Sequence, residues 1–268
     1  MSDFLQQMAK HSAERAGAAE NIRASDLDKP VVPLRLGDFD IIAEIKGRSP
    51  AEGELAGAEL DRVGRARDYV RGGAAAISVL TEPSRFDGTL AHLEEVAAAV
   101  PGTPVMRKDF LVGPVQVLEA RRAGASGVLL ITAMLSDDKL RTMLDATFEL
   151  GMFVLLEAFD ENDLARSNAL LENPADHDRA AAGTLLVGVN TRNLRTLEVD
   201  GKRLERLAPL LPNARCVAES GMKTAGDAAA VAGWGYSLAL VGSALMRSND
   251  PGSLVRDMRA AGSARVAA

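Results

Sequence analysis

A rhythm constrains this chain more than any single motif. From Asp40 onward, short apolar runs of strand-like composition recur at 41–45, 75–80, 104–106, 128–131, 153–156, 185–189, 216–218 and 238–241. Their spacing is about thirty residues, the length of one strand, one helix and two connections. Between them lie stretches with helical periodicity at 60–71, 90–100, 115–123, 140–150, 161–171, 202–210, 226–233 and 251–259. Gly72-Gly73, Gly124, Gly151 and Gly233 fall at or after the ends of these stretches, where helix C-termini favour glycine. Strands this short and continuously apolar are buried on both faces, as parallel sheets require.

Eight strand–helix units in about 230 residues predict an α/β fold, a (β/α)8 TIM barrel. The rival is a doubly wound open sheet, which would place a Gly-x-Gly-x-x-Gly turn after its first strand. Here that strand runs instead into Glu44-Ile45-Lys46-Gly47-Arg48-Ser49-Pro50. No linker-like change in composition occurs after residue 40, so 40–268 is expected to form a single barrel domain. Residues 1–39 differ. Phe4, Leu5 and Met8 fall at helical spacing, a polar stretch containing alanine runs on to about Ala24, and Pro30 and Pro33 break any helix. The expectation is an N-terminal helical extension packing on one end of the barrel, with a flexible partner-binding arm as the alternative.

Composition narrows the function classes. The formal net charge of −6 gives no reason to expect nucleic acid as a partner. Cys216 is the single cysteine, so neither an intrachain disulfide nor a cysteine metal cluster is available, and its apolar run marks it as a buried structural thiol. No apolar run approaches the length of a membrane span and no signal-peptide pattern opens the chain, which reads as a cytoplasmic protein.

In a barrel the C-terminal ends of the strands share one face, so the residues just after each apolar run matter most. The first run delivers Glu44 and Lys46, two apart and hence on one side of a strand, then Ser49. The second gives Ser78, Thr81, Glu82 and Phe86. The third gives Arg107, Lys108, Asp109 and Phe110, the fifth Glu157, the sixth Asn190 and Arg192, the seventh Glu219-Ser220-Gly221, and the eighth Gly242-Ser243. Taken singly, each has a plain structural explanation: a solvated lysine, a salt-bridge glutamate, a turn-forming asparagine. Together they load one face with polar groups. Ser220-Gly221 and Gly242-Ser243 offer small residues and backbone N–H groups beside helix starts, which is how a barrel holds a phosphate dianion. His11, His92 and His177 lie in the extension, on a helical stretch and in a polar loop at 173–179, contexts unsuited to metal ligation or a triad. Acid–base work then falls to lysine and carboxylates. A lysine becomes a general acid near neutrality when burial or a second cation lowers its pKa, and Lys46, Arg107 and Lys108 are placed to supply one another, while Arg107 and Asp109 read as a supporting ion pair rather than reactants.

These residues, in order, resemble the indole-3-glycerol phosphate synthase family of tryptophan biosynthesis. The matching stretches are IIAEIKGRSP (41–50), AISVLTEPSRFDG (76–88), PVMRKDFLV (104–112), EARRAGASGVLLI (119–131), GVNTRNLRTLEVD (188–200), AESG (218–221) and LVGSALM (240–246). The resemblance implies a lyase that needs neither metal nor cofactor. Its substrate would be a small phosphorylated aromatic-amine sugar, 1-(2-carboxyphenylamino)-1-deoxyribulose 5-phosphate, closed to an indole with loss of carbon dioxide and water. It further implies Lys108 as general acid, Lys46 holding a substrate anion, Glu157 as second acid–base group, and Glu44 and Asn190 as orienting groups. Ser49, Ser220, Gly221, Gly242 and Ser243 would cradle the phosphate, Phe86, Phe110 and Leu194 would wall the ring, and Arg192 and Glu219 would also contact substrate. Neither nucleic acid nor membrane would be a partner; a monomer in transient contact with other enzymes of the pathway is the expectation. The chain departs from the family at Gly47, Ala51-Glu52, Gly113, Val115 and Phe159. Those departures keep two alternatives open, a paralogue acting on a related phosphorylated substrate and an inactive ligand- or partner-binding barrel. A different phosphate-binding barrel enzyme, such as an isomerase or aldolase, is the remaining enzymatic rival, although strands six to eight end without the lysine an aldolase would use.

Overall fold

Eight parallel strands close into a ring in the computed structural model, which describes residues 3–17, 22–49, 53–55, 60–195 and 198–267. The barrel strands are β1 (Asp40–Ile45), β2 (Ala76–Leu80), β3 (Val105–Lys108), β4 (Gly127–Ile131), β5 (Phe153–Ala158), β6 (Leu185–Asn190), β7 (Arg215–Glu219) and β8 (Leu238–Val241). Each pairs with its sequence neighbours. Closure comes from β1 against β8, with Asp40 opposite Leu238 and Ala43 opposite Val241. A closed sheet has no edge strand to protect. Its strands are buried almost without interruption, as their unbroken apolar sequence requires.

The helices between strands start where side chains can take up free N–H groups. Asp61 accepts from the Gly64 N–H, Thr89 from His92, Asp160 from Asp163 and Thr224 from Asp227. The turn after helix Arg62–Gly72 needs Gly73, whose φ is 88°, in the left-handed region. Among the described residues no helix is long and apolar enough to cross a membrane.

Three elements differ from the sequence expectation. Strands β3, β5, β6 and β7 run on past their apolar runs to include Lys108, Glu157, Asn190 and Glu219. A buried polar side chain with partners is tolerated in a ladder, so hydropathy alone ends these strands too early. Residues 173–179 are not a loop: Asn173 caps the helix Pro174–Ala181, with proline at its first position. The last helix also continues to Val266.

The N-terminal segment forms helix α1 (Asp3–Gly17). Leu5, Met8 and Ser12 on one side are buried, while the side chain of Lys10 is 76% exposed. That amphipathic face lies against the barrel, and Phe4 meets the Phe110 ring edge-on at 6.0 Å.

Candidate active site

The strand alternation sorts the charged residues of β3 onto opposite sides. Arg107 points outward, between the strands and helix Pro114–Arg122. It donates to the Gln116 carbonyl at 2.8 Å, Glu119 at 3.1 Å, Thr81 Oγ1 at 3.1 Å and Asp109 at 3.0 Å. Lys108 points inward. Its Nζ lies 3.1 Å from Glu157 Oε2 and 2.9 Å from Glu219 Oε2.

Glu44, Lys108, Glu157 and Glu219 come from β1, β3, β5 and β7, the odd-numbered strands. A barrel interior fills in layers of four side chains from alternate strands, so one layer here is made of three carboxylates and one ammonium. The even strands make room. A Cβ at Gly188 on β6 would overlap the Glu219 carboxylate. A Cβ at Gly242 would overlap Glu44 and lie 2.9 Å from Lys46 Nζ. Lys46 itself pairs with Glu44 at 2.7 Å.

The electrostatics arise from this crowding. Burial alone would push Lys108 down. The Glu157, Glu219 and Glu44 carboxylates outweigh it and hold the ammonium above its ordinary value. The expectation of a lysine lowered by neighbouring cations is therefore corrected: Arg107 faces away, and three acids surround Lys108. Burial and the adjacent Glu157 push Glu219 up to about 8, against the pull of Lys108. Burial also opposes ionisation of Glu44, but Lys46 and Lys108 bring it below the usual carboxylate value. A hydrogen bond between the Glu157 and Glu219 carboxyl groups adds to the upward push on Glu219.

A cavity of about 500 Å³ opens above this layer. Glu44, Lys46, Lys108, Glu157, Asn190, Arg192, Leu194, Glu219, Ser220, Gly221, Gly242, Ser243, Phe86 and Phe110 all line it. Phe86 and Phe110 stand 6.2 Å apart at one side. On another, Ser220 and Gly221 take left-handed φ values of 66° and 86°, a turn that glycine makes freely and serine rarely. Asn190 accepts from the Arg192 N–H at 2.9 Å, and the Arg203 guanidinium fixes this corner through the Asn190 and Thr191 carbonyls. Ser49 sits in a two-residue strand with Arg48, and its side chain lies outside the described residues, as do Ala51 and Glu52.

Sequence reasoning missed Leu129 and Ile131 of β4, Leu240 of β8, and Lys223 and Arg247 at the rim. The apolar three are expected from position alone, since inward residues of the even strands must face the same space. Of the departures, Gly113 caps the helix after β3, and Phe159 is fully buried beneath the Arg195 guanidinium at 5.8 Å. His11, His92 and His177 are absent from the lining. Buried Cys216 has its thiol pushed up to about 12 by burial. Among the described residues no group of three or more His, Cys, Asp or Glu side chains is arranged to hold a metal ion.

The fold resembles that of 3-hexulose-6-phosphate synthase from Salmonella typhimurium, with a TM-score of 0.63 and 18% identity, covering 85% of this chain and 100% of that one. Thiamine phosphate pyrophosphorylase from Pyrococcus furiosus gives 0.56 and 13%, covering 84% and 96%. Identities this low speak to the barrel alone. Sequence comparison reaches further. The family model for indole-3-glycerol phosphate synthase matches residues 21–258. A protein of that name from a Nocardioides species is 45% identical over 266 residues, covering 96% of this chain and 97% of its own. One from a Parafrankia species is 44% identical over 241 residues, covering 90% and 85%. A barrel whose inner charged layer carries Lys108, and whose sequence matches along nearly its whole length, belongs to the indole-3-glycerol phosphate synthase family.

Proposed function

We propose that this chain closes 1-(2-carboxyphenylamino)-1-deoxyribulose 5-phosphate to indole-3-glycerol phosphate, releasing one carbon dioxide and one water. The observation that carries the proposal is the Lys108 ammonium held among Glu157, Glu219 and Glu44 on the floor of the cavity. The aromatic ring packs against Phe86, Phe110 and Leu194. The phosphate sits at Ser220, Gly221, Gly242 and Ser243, with Ser49 completing the cradle. Lys46, beside Gly242, supplies a cation at that end. Anchoring both ends folds a flexible substrate so that its ring carbon faces the ketone, and orientation of this kind removes several kcal/mol from a barrier.

Bond formation from the carboxylate-bearing ring carbon to the ketone carbon leaves charge on the ketone oxygen. Lys108 donates its proton there as the bond forms. Loss of carbon dioxide restores the ring electrons. The hydroxyl made from the ketone then takes up a proton and leaves as water; Glu157 stabilises the resulting cationic ring and, as the second acid–base group, accepts the hydrogen lost from the carbon beside nitrogen, which forms the indole double bond. Glu44 and Asn190 orient these groups and the substrate hydroxyls, while Arg192 and Glu219 complete the contacts. An ammonium held above its ordinary pKa is a weaker acid but is fully protonated at neutral pH, so its proton is in place when the ketone oxygen gains charge.

The same reading treats 1–39 as an extension of a single domain at 40–268, working as a cytoplasmic monomer with transient contacts to neighbouring pathway enzymes. The test is direct. The purified protein is incubated with the carboxyphenylamino-deoxyribulose phosphate while indole fluorescence and carbon dioxide are monitored. Equal amounts of both products are expected, unchanged by EDTA. Absence of an indole product overturns the proposal, and loss of activity with EDTA overturns its metal-free chemistry.

A further inference from the structure

One guanidinium on the N-terminal helix reaches two buried carboxylates belonging to different barrel loops. Arg15 Nη2 lies 2.7 Å from Asp109 Oδ1, and its Nη1 lies 3.7 Å from Glu82 Oε1. The arginine side chain is 30% exposed; those of Glu82 and Asp109 are 1% and 0% exposed. Both acids are loop anchors. Asp109 Oδ1 also accepts the Phe110 N–H at 2.8 Å. Glu82 accepts from the N–H groups of Ser84 and Arg85, capping the single helical turn that ends at Phe86. Each anchor thus fixes the backbone just ahead of one ring of the cavity wall.

The rest of that helix face converges on the same loop. Phe4 meets the Phe110 ring, and Ser12 Oγ accepts from Gln116 Nε2 at 2.9 Å. Gln116 Oε1 in turn accepts from Val112 and Gly113 at 2.8 and 3.2 Å. Phe4 and Arg15 are about three helical turns apart and therefore on one face. The loop between Lys108 and helix Pro114–Arg122 has its amides held by side chains that α1 grips.

We propose that Arg15 is a positioning residue for the reaction: its guanidinium ties together the loops after β2 and β3 and so sets Phe86 and Phe110 as a wall for the substrate ring. The role rests on the proposed placement of the aromatic ring. A planar fork meets two carboxylates at once, which a point-charge ammonium does less well. Without Arg15, Glu82 loses this cation and Asp109 keeps Arg107, Thr81 and the Phe110 N–H. The wall then loosens while the phosphate end, built from β7 and β8, is untouched.

The test compares wild type, Arg15→Met and Arg15→Lys by steady-state kinetics, with inorganic phosphate as competing inhibitor and hydrogen exchange of the Phe110, Val112 and Gly113 amides alongside. Arg15→Met is expected to raise KM about tenfold, the scale of a misplaced binding surface, with a smaller fall in kcat. Phosphate inhibition stays as in wild type, the three amides exchange faster, and Arg15→Lys falls between. Wild-type KM in Arg15→Met overturns the proposal, as does phosphate inhibition weakening in step with KM, which would mean general loosening. If Arg15→Met does not fold, Arg15→Lys decides: a raised KM with phosphate inhibition unmoved supports the fork, and a wild-type KM overturns it. If wild type makes no indole product, the reaction fails separately; the amides then decide the clamp, and unchanged exchange overturns it.

Discussion

Arg107 and Lys108 are adjacent cations on one strand, and they belong to different regions of the molecule. Arg107 lies in the layer between barrel and helices, where its guanidinium satisfies Asp109, Glu119, Thr81 and a backbone carbonyl. Lys108 lies in the inner layer, where Glu157 and Glu219 hold it directly and Glu44, paired with Lys46, acts from further off. The outer network is sealed inside the wall, each group spent on another. The inner one lines the cavity and holds Glu219 against its own ionisation. Groups satisfied within the wall hold a fold together; groups that face the cavity can meet a substrate. That difference separates scaffold from chemistry more sharply than residue type does.

The comparison breaks most visibly if the outer layer is cut. Arg107→Met leaves Glu119 without this partner and strands Asp109 on Thr81 and Arg15. Losing one side of a buried pair costs about 3–5 kcal/mol. Chemical denaturation should show a loss of that size, while turnover per folded molecule falls far less. A stability loss near zero would mean that the outer network is not structural.

Next in size, Glu157→Gln keeps the shape of the inner layer and removes its charge. A kcat lower by about a hundredfold is expected, the scale of a missing acid–base group, without a large change in KM. Unchanged kcat would remove Glu157 from the chemistry.

Gly188→Ala touches neither charge. Its new Cβ would press on the Glu219 carboxylate and shift it from Lys108. A kcat lower by about tenfold, with phosphate inhibition as in wild type, would sharpen the claim that layer geometry matters.

The last effect is a slope rather than a loss. Glu219 is raised from 4.5 to about 8 in the folded protein, so its contribution to stability is fully present below pH 4.5 and is lost as pH rises toward 8. Glu44, shifted the other way, contributes stability that is lost as pH falls through its folded value. In Glu219→Gln the decline of Tm between these limits should flatten. The same slope in variant and wild type would place the titration elsewhere.

Much of this was legible in the sequence because it depends on side-chain type and spacing. Eight apolar runs at a regular interval imply the barrel, and polar residues after them imply its working face. What escaped depends on direction and partners. Arg107 and Asp109 do form the supporting ion pair that the sequence suggests, but the acids that close on Lys108 from β5 and β7 lie far along the chain, so a cation-lowered lysine is expected where the strand pleat delivers an acid-bound one. Glu157 and Glu219 end strands that hydropathy stops early, because only their common partner across the barrel makes their burial tolerable. Gly188 reads as an ordinary strand glycine until the carboxylate beside it is seen. Asn173-Pro174, a helix start, was hidden among polar residues that pattern alone assigns to a loop. The clasp by α1 was visible as an amphipathic stripe, but Arg15 joins it only through residues far along the chain.

The central claim is that Lys108, held by carboxyl groups in the inner layer, delivers the proton that permits ring closure. The direct measurement is kcat for indole formation by folded Lys108→Ala beside wild type at saturating substrate. The account predicts a loss of about 10²–10⁴, the contribution of a positioned general acid. Equal rates in the two proteins would contradict it.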